Sequence, residues 1–181
     1  VGAVLMTMAA GNVEYVRPAG ANAFSDAAVG HRALAETLRQ LGVPVVVSRA
    51  ESVRRAGDAG LLVVADPAPN RKDRVDDLLR APRVLFVLPK WRIAPDPLKP
   101  RWAAAAAVRS AESVTEVLRW VVPDGELARP GPVGDWRWQD IAGGPVTPDP
   151  EIVRQPQVLT GGDFRPVVRA AQGTVVAVAE R

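Results

Sequence analysis

The chain contains no cysteine. That absence excludes disulfides, thiolate nucleophiles and cysteine-based metal sites together, and it leaves the redox compartment open. There is a single histidine, His31. A lone imidazole without cysteine argues against zinc, so no metal site is expected and no cofactor is implied. Lysine is scarce too, with only Lys72, Lys90 and Lys99 among 23 basic residues. Neither a P-loop nor a G-x-G-x-x-G occurs, which leaves nucleotide binding without support. None of the five serines lies in a G-x-S-x-G elbow, so the strained turn that activates a serine nucleophile is missing. No apolar run approaches the ~18 residues that cross a bilayer. Internal repeats and low-complexity tracts are absent as well.

What is present suits a globular chain. Its 181 residues are 48% hydrophobic and 24% charged, enough for one domain with a real core. The balance of 23 basic against 20 acidic residues leaves +3. Two basic clusters, Arg71/Lys72/Arg74 and Lys90/Arg92/Lys99/Arg101, read as solvated surface, and no nucleic-acid partner is expected. Trp91 and Trp102 flank the second cluster, where they suit packing, a loop anchor, or a protein or lipid-headgroup contact.

The most informative stretch is 22–49, NAFSDAAVGHRALAETLRQLGVPVVVSR. Ser25 is a good N-cap, with Asp26 in the first turn where the helix dipole favours negative charge. Ala27, His31, Leu34, Leu38 and Leu41 recur at steps of four and three, predicting one inward helix face. Gly42 supplies the stop. Gly30 weakens a helix, so its place beside that face predicts close approach to another backbone. The following VPVVVS is a β-branched run typical of a strand covered on both faces.

The pattern then repeats. Ser48 and Glu51 have capping-box spacing and open a short helix ending near Gly57. Residues 61–65, LLVVA, form a second buried strand; Asn70 caps a helix stopped by Pro82, and 83–88, RVLFVL, form a third strand. Strand, helix and strand at these spacings predict a three-layer α/β fold, a mostly parallel sheet with helices on both faces. Beyond Trp91 a proline-rich loop is expected over 93–101, and 102–108 is compatible with helix or strand. Ser113 and Glu116 mark a helix with Val114, Val117, Leu118 and Val121 on its face. The end reads as an antiparallel C-terminal extension, with strands at 157–160, 166–169 and 174–179. Residues 12–17 alternate as a short strand. The opening VGAVLMTMAA is compatible with the tail of a transmembrane helix, a signal remnant, or a first strand.

The 22–49 unit, with GLLVVADPAP and RVLFVLPKW after it and RPVVRAAQGTVVAVAER at the end, resembles the bacterial family called "domain of unknown function 4350". That resemblance implies a class I glutamine amidotransferase-like domain, related to flavodoxin-like folds. It also implies a membrane-anchored protein with its domain outside the cytoplasm, in a membrane complex near a MoxR-type AAA+ ATPase. On this view residues 1–18 hold a possible anchor stub and first strand. Residues 19–181 then form a single domain, cut short of the family's final strand and helix.

Amidotransferase chemistry needs a cysteine nucleophile with a histidine base, so no catalytic residue is assigned. Asp66 and Lys90 follow the carboxyl ends of two parallel strands, where open α/β sheets bind ligands. Together with Ser25, Gly30 and His31 they form the candidate ligand-binding set. The expected function is recognition of a partner protein or a small polar ligand at that edge, without catalysis. An enzyme using Asp66, Lys90 and His31 on a polar or anionic substrate is one alternative, and a structural spacer in a membrane complex is another. Each candidate also has a plain role: Ser25 as a cap, His31 as a neutral packing side chain, and Asp66-Pro67 and Pro89-Lys90 as strand punctuation.

Overall fold

A computed structural model describes residues 4–7, 19–20, 22–25, 27, 30–48, 50–67, 70–131, 134–140, 142–153 and 155–179. The expected strand over 12–17 lies outside these residues. The chain divides into two compact units, 1–109 and 110–181.

The first unit is built on a parallel sheet. Val4–Thr7 (β1), Val45–Ser48 (β2), Leu61–Ala65 (β3) and Val84–Val87 (β4) pair in the order β2-β1-β3-β4. All three pairings are parallel, with Val4 opposite both Val45 and Leu61 and with Leu62 opposite Val84. Of the three readings of the opening segment, Val4–Thr7 thus takes the strand. Among the described residues no helix is long and apolar enough to cross a membrane.

Both faces of β3 are covered. Val63 joins Ala23, Ala35 and Val45 in one cluster, with Leu38 and Val47 packed against it. Leu62 and Val64 join Ala81 in another, backed by Val53, Ala56 and Leu78. The first cluster is reached by Arg32–Gln40 (α1), the second by Ser52–Ala56 (α2) and Lys72–Leu78 (α3). The inward stripe of α1 is turned from the predicted one: Ala35 is fully buried, while Leu34 and Leu41 are exposed. Gly42 ends the helix at φ +78, a conformation open to glycine at little cost.

The expected three-layer, mostly parallel fold of flavodoxin or glutamine amidotransferase type is corrected by the course of the chain beyond β4. Among the described residues, seven of the eleven strands lie in small antiparallel sheets, and the four helices span only five to nine residues. The reason lies in connection length. Returning to a parallel strand takes a dozen or more residues. Only three residues separate β4 from Trp91–Pro95 (β5), and only seven separate β5 from Ala103–Val108 (β6). The chain therefore folds back as an antiparallel β5–β6 ribbon. The segment expected as a loop over 93–101 contributes a strand, and the alanine run is β rather than helix.

The second unit opens with Ala111–Leu118 (α4), which is capped by Ser110, whose Oγ accepts from the Ser113 N–H at 3.2 Å. The cap falls three residues before the predicted one. Val114, Val117 and Leu118 are buried as expected, while Val121 falls past the end of the helix and is half-buried; α4 packs against Glu126–Ala128 (β7). The sheet continues through Arg137–Trp138 (β8), Val158–Gly161 (β9), Arg165–Ala170 (β10) and Gly173–Val178 (β11), in the order β7-β9-β11-β10-β8. The β10–β11 hairpin turns where Gln172-Gly173 was predicted to turn.

Candidate functional site

Residues 41–44 join α1 to the start of β2, so the helix ends beside the edge where the parallel strands begin. Its nine residues rise about 13 Å, close to the length of the four-residue strands. His31, the N-cap residue, therefore stands at the opposite edge, where the strands end. Asp66 directly follows β3 at that same edge.

The strand order gives this edge a special point. From β1 the chain goes to β2 on one side and then to β3 on the other. Between β1 and β3 the connections part, and at such a switch point open parallel sheets leave a crevice beyond the strand ends. His31 belongs to the connection leaving β1, and Asp66 to the one leaving β3.

Both residues carry an unsatisfied atom. His31 Nε2 and Asp66 Oδ1 are buried without a hydrogen-bond partner, a state that costs free energy and calls for explanation. Burial lowers the His31 pKa from its ordinary 6.5, so the ring is neutral at pH 7. Burial pushes the Asp66 carboxyl up to about 6, against the opposing pull of the Arg109 guanidinium. Asp66 also sits at φ 49, in the left-handed region that few residues other than glycine, asparagine and aspartate enter. Its N–H donates to the Val87 carbonyl at 3.0 Å, which fixes the backbone to the end of β4.

Ser25 and Gly30 serve the loop instead. The Gly20 and Ala27 N–H groups donate to Ser25 Oγ at 3.1 and 3.2 Å, and Ser25 is buried. The His31 N–H donates to the Asn22 carbonyl at 2.9 Å. A side chain on Gly30 would collide with the Ser25 carbonyl. The close approach predicted for Gly30 is thus present, made to its own loop. Ser25 is corrected from helix cap to loop clasp, because the helix begins seven residues later, at Arg32.

Lys90 also departs from expectation. Its Nζ lies 5.3 Å from the centre of the Trp91 ring, a cation–π distance. The Lys90 carbonyl accepts from the Arg109 N–H at 2.9 Å, and Arg109 Nε donates to the Trp91 carbonyl at 3.2 Å. Arg109 is the charge that acts on Asp66, and sequence reasoning missed it. It stands 43 positions later, and only the β5–β6 pairing returns it beside Lys90.

Among the described residues no cluster of three or more histidine, aspartate or glutamate side chains could hold a metal ion. At neutral pH the connections at this edge carry a neutral imidazole nitrogen and, separately, a mostly ionised carboxylate oxygen biased by a guanidinium. Such groups can accept from and donate to a polar molecule. Comparison of the chain with family models, curated proteins and solved structures gave no match in any of the three.

Proposed function

We propose that the carboxyl edge of the parallel sheet is a recognition site for a small polar ligand, held between His31 and Asp66 without chemical conversion. The observation that carries this reading is the pair of buried, unpartnered atoms, His31 Nε2 and Asp66 Oδ1, on the two connections flanking the switch point. A buried carboxylate oxygen is satisfied by an N–H or O–H donor. A neutral imidazole nitrogen can accept or donate according to tautomer. The complementary ligand is therefore a neutral group with both functions, such as an amide or a hydroxyl, rather than a second carboxylate.

The test follows the His31 ring signals by NMR while the protein is titrated with acetamide, acetate or inorganic phosphate. Acetamide is expected to shift them in the native protein and not in Asp66→Ala. Shifts that persist in Asp66→Ala, or that only the anions produce, would overturn the reading.

One observation favours a second, enzymatic reading. A carboxyl group near pKa 6 lies in the range where general acid–base catalysis works at neutral pH. Asp66 would then take or give the proton and His31 would hold the substrate, while Lys90 is drawn toward Trp91. Ester hydrolysis that rises through pH 6 and disappears in Asp66→Asn would establish it.

On the sequence resemblance alone we propose a wider setting, a membrane-anchored, extracytoplasmic module with a protein partner in a membrane complex. Co-purification from intact membranes tests that setting; recovery of no partner would count against it, and against the structural-spacer alternative.

A further inference from the structure

We propose that the β5–β6 ribbon is a docking element for an anionic membrane surface. The ribbon has a charge unlike the rest of the chain. The ribbon, residues 91–108, holds Arg92, Lys99 and Arg101 against Asp96 alone, and Lys90 and Arg109 flank its two ends. The ribbon is thus +2, and with its two flanking cations the stretch 90–109 is +4, where the whole chain carries +3.

Its tip presents two apolar side chains on a hydrogen-bonded turn. Leu98 is 91% exposed and Trp102 67% exposed, so both stand in solvent at a cost that an apolar environment would relieve. Asp96 Oδ1 accepts from the Leu98 and Lys99 N–H groups at 2.8 and 3.0 Å. The Asp96 N–H donates to the Trp102 carbonyl, and the Trp102 N–H to the Lys99 carbonyl, at 2.8 and 2.7 Å. The one acid of the ribbon thus braces its own turn. The Ala19 N–H further ties the tip at the Pro100 carbonyl, 2.7 Å away. Leu98 is presented on a preformed turn, and little ordering is left to be done on contact.

Charge complementarity selects the occupant. A second copy would set like charge against like charge, so edge-to-edge pairing of two ribbons is opposed. Nucleic acid would want open aromatic faces for stacking, but Lys90 and Lys99 stand over the Trp91 and Trp102 rings at 5.3 and 5.6 Å. Leu98 offers a nucleic acid nothing. An indole beside an ammonium, flanked by arginine and led by a bare leucine, matches the boundary between phosphate headgroups and acyl chains.

The test is co-sedimentation of the purified chain with vesicles of phosphatidylcholine alone and of phosphatidylcholine with phosphatidylserine. Binding is expected to the mixed vesicles only, weakening as salt rises. Lys99→Ala with Arg101→Ala should lower partitioning by roughly fivefold per cation removed. Leu98→Ser should lower it while leaving the salt dependence unchanged. Arg137→Ala, an exposed cation in the other unit, should leave it unaltered. Because these side chains are exposed, unchanged circular dichroism is expected and checks that each variant folds. Failure to bind mixed vesicles overturns the proposal, as does equal loss in Arg137→Ala. Retention on a mixed-sequence oligonucleotide with vesicles ignored would give the ribbon to nucleic acid. Self-association that Leu98→Ser abolishes would give it to a second copy. Either result overturns the membrane assignment.

Discussion

Strands β3 and β6 are both apolar, belong to the same compact unit, and meet opposite fates. In β3, LLVVA, four of five residues are buried; in β6, AAAAAV, every residue is exposed. The first has a strand on each side and apolar clusters on both faces. The second has one partner strand. Side-chain volume accounts for the difference. Burying a valine or leucine is worth about 1.5–3 kcal/mol, and an alanine methyl group offers a small part of that. Covering β6 would therefore return little free energy. Apolar composition marks a strand as buried only when the side chains are large enough to repay a cover.

The comparison is broken most sharply at Leu62, which has no solvent exposure. Leu62→Ala makes β3 resemble β6 at one position and leaves a cavity among Val64, Ala81 and the side chains around them. A loss of about 2–5 kcal/mol is expected, read as a lower urea midpoint of the first unit.

Asp66, where β3 ends, ranks second. Its folded pKa of about 6 lies above the usual 3.8, so the folded state holds its proton more tightly than the unfolded chain does. The stability this contributes is complete below about pH 4 and is lost as the pH rises through 6. At pH 7 the lost contribution is about 3 kcal/mol. Asp66→Asn removes the titration and suits the left-handed backbone. It should therefore gain on the order of 2 kcal/mol at pH 7 and much less at pH 4. His31 works the other way. Its pKa is lowered by burial, so its contribution is held above 6.5 and lost as the pH falls through the lowered value. In native protein the two trends oppose each other in mildly acidic solution. The asparagine variant should uncover the acid-side loss due to His31, and urea midpoints across pH check both limbs. A variant with the same pH profile as native protein would sink this assignment.

Much of the first unit was legible because its strands are large-residue runs. The β-branched run before Ser48, LLVVA and RVLFVL each became parallel strands within a residue or two of expectation. The α4 face and the C-terminal hairpin were legible from valine spacing and a Gln-Gly turn. The mostly parallel whole was not, because the decisive signal was a short connection rather than a pattern. The seven residues between β5 and β6 permit only an antiparallel return, yet the alanines of β6 favour helix by propensity. Ser25 misled for a similar reason. Its spacing fits a cap, but Gly30 lets the loop close on Ser25 before the helix begins. Asp66 was singled out by its place after a strand, and His31 by its place on the predicted helix face. Arg109 was hidden because no sequence spacing links it to Asp66.

Ser25 offers a smaller effect on the covered side of the comparison. Its Oγ satisfies two backbone N–H groups inside a buried loop, and Ser25→Ala strands both. The expected loss is about 1–2 kcal/mol. It should appear with faster amide exchange at Gly20 and Ala27, while exchange in β10 and β11 stays unchanged. Slow exchange retained at both amides would mean that the hydroxyl is not what holds the loop.

The smallest effect belongs to β6 itself. Ala105 pairs with Ala94 across the ribbon, and both are exposed. Ala105→Thr adds a β-branched side chain where nothing must move to admit it, and such residues suit a pleated surface better than alanine. The change should lie within about 0.5 kcal/mol of zero and lean toward stabilisation. The same substitution at Ala65, buried at the end of β3, inserts volume and a hydroxyl into a closed place and should cost about 1–3 kcal/mol. If Ala105→Thr proved as damaging as Ala65→Thr in urea unfolding, β6 would have to be covered in solution. Its exposure would then no longer distinguish it from β3. A near-neutral result leaves the ribbon as it stands, a strand pair whose alanines are spared from the core and whose free faces remain open to a partner.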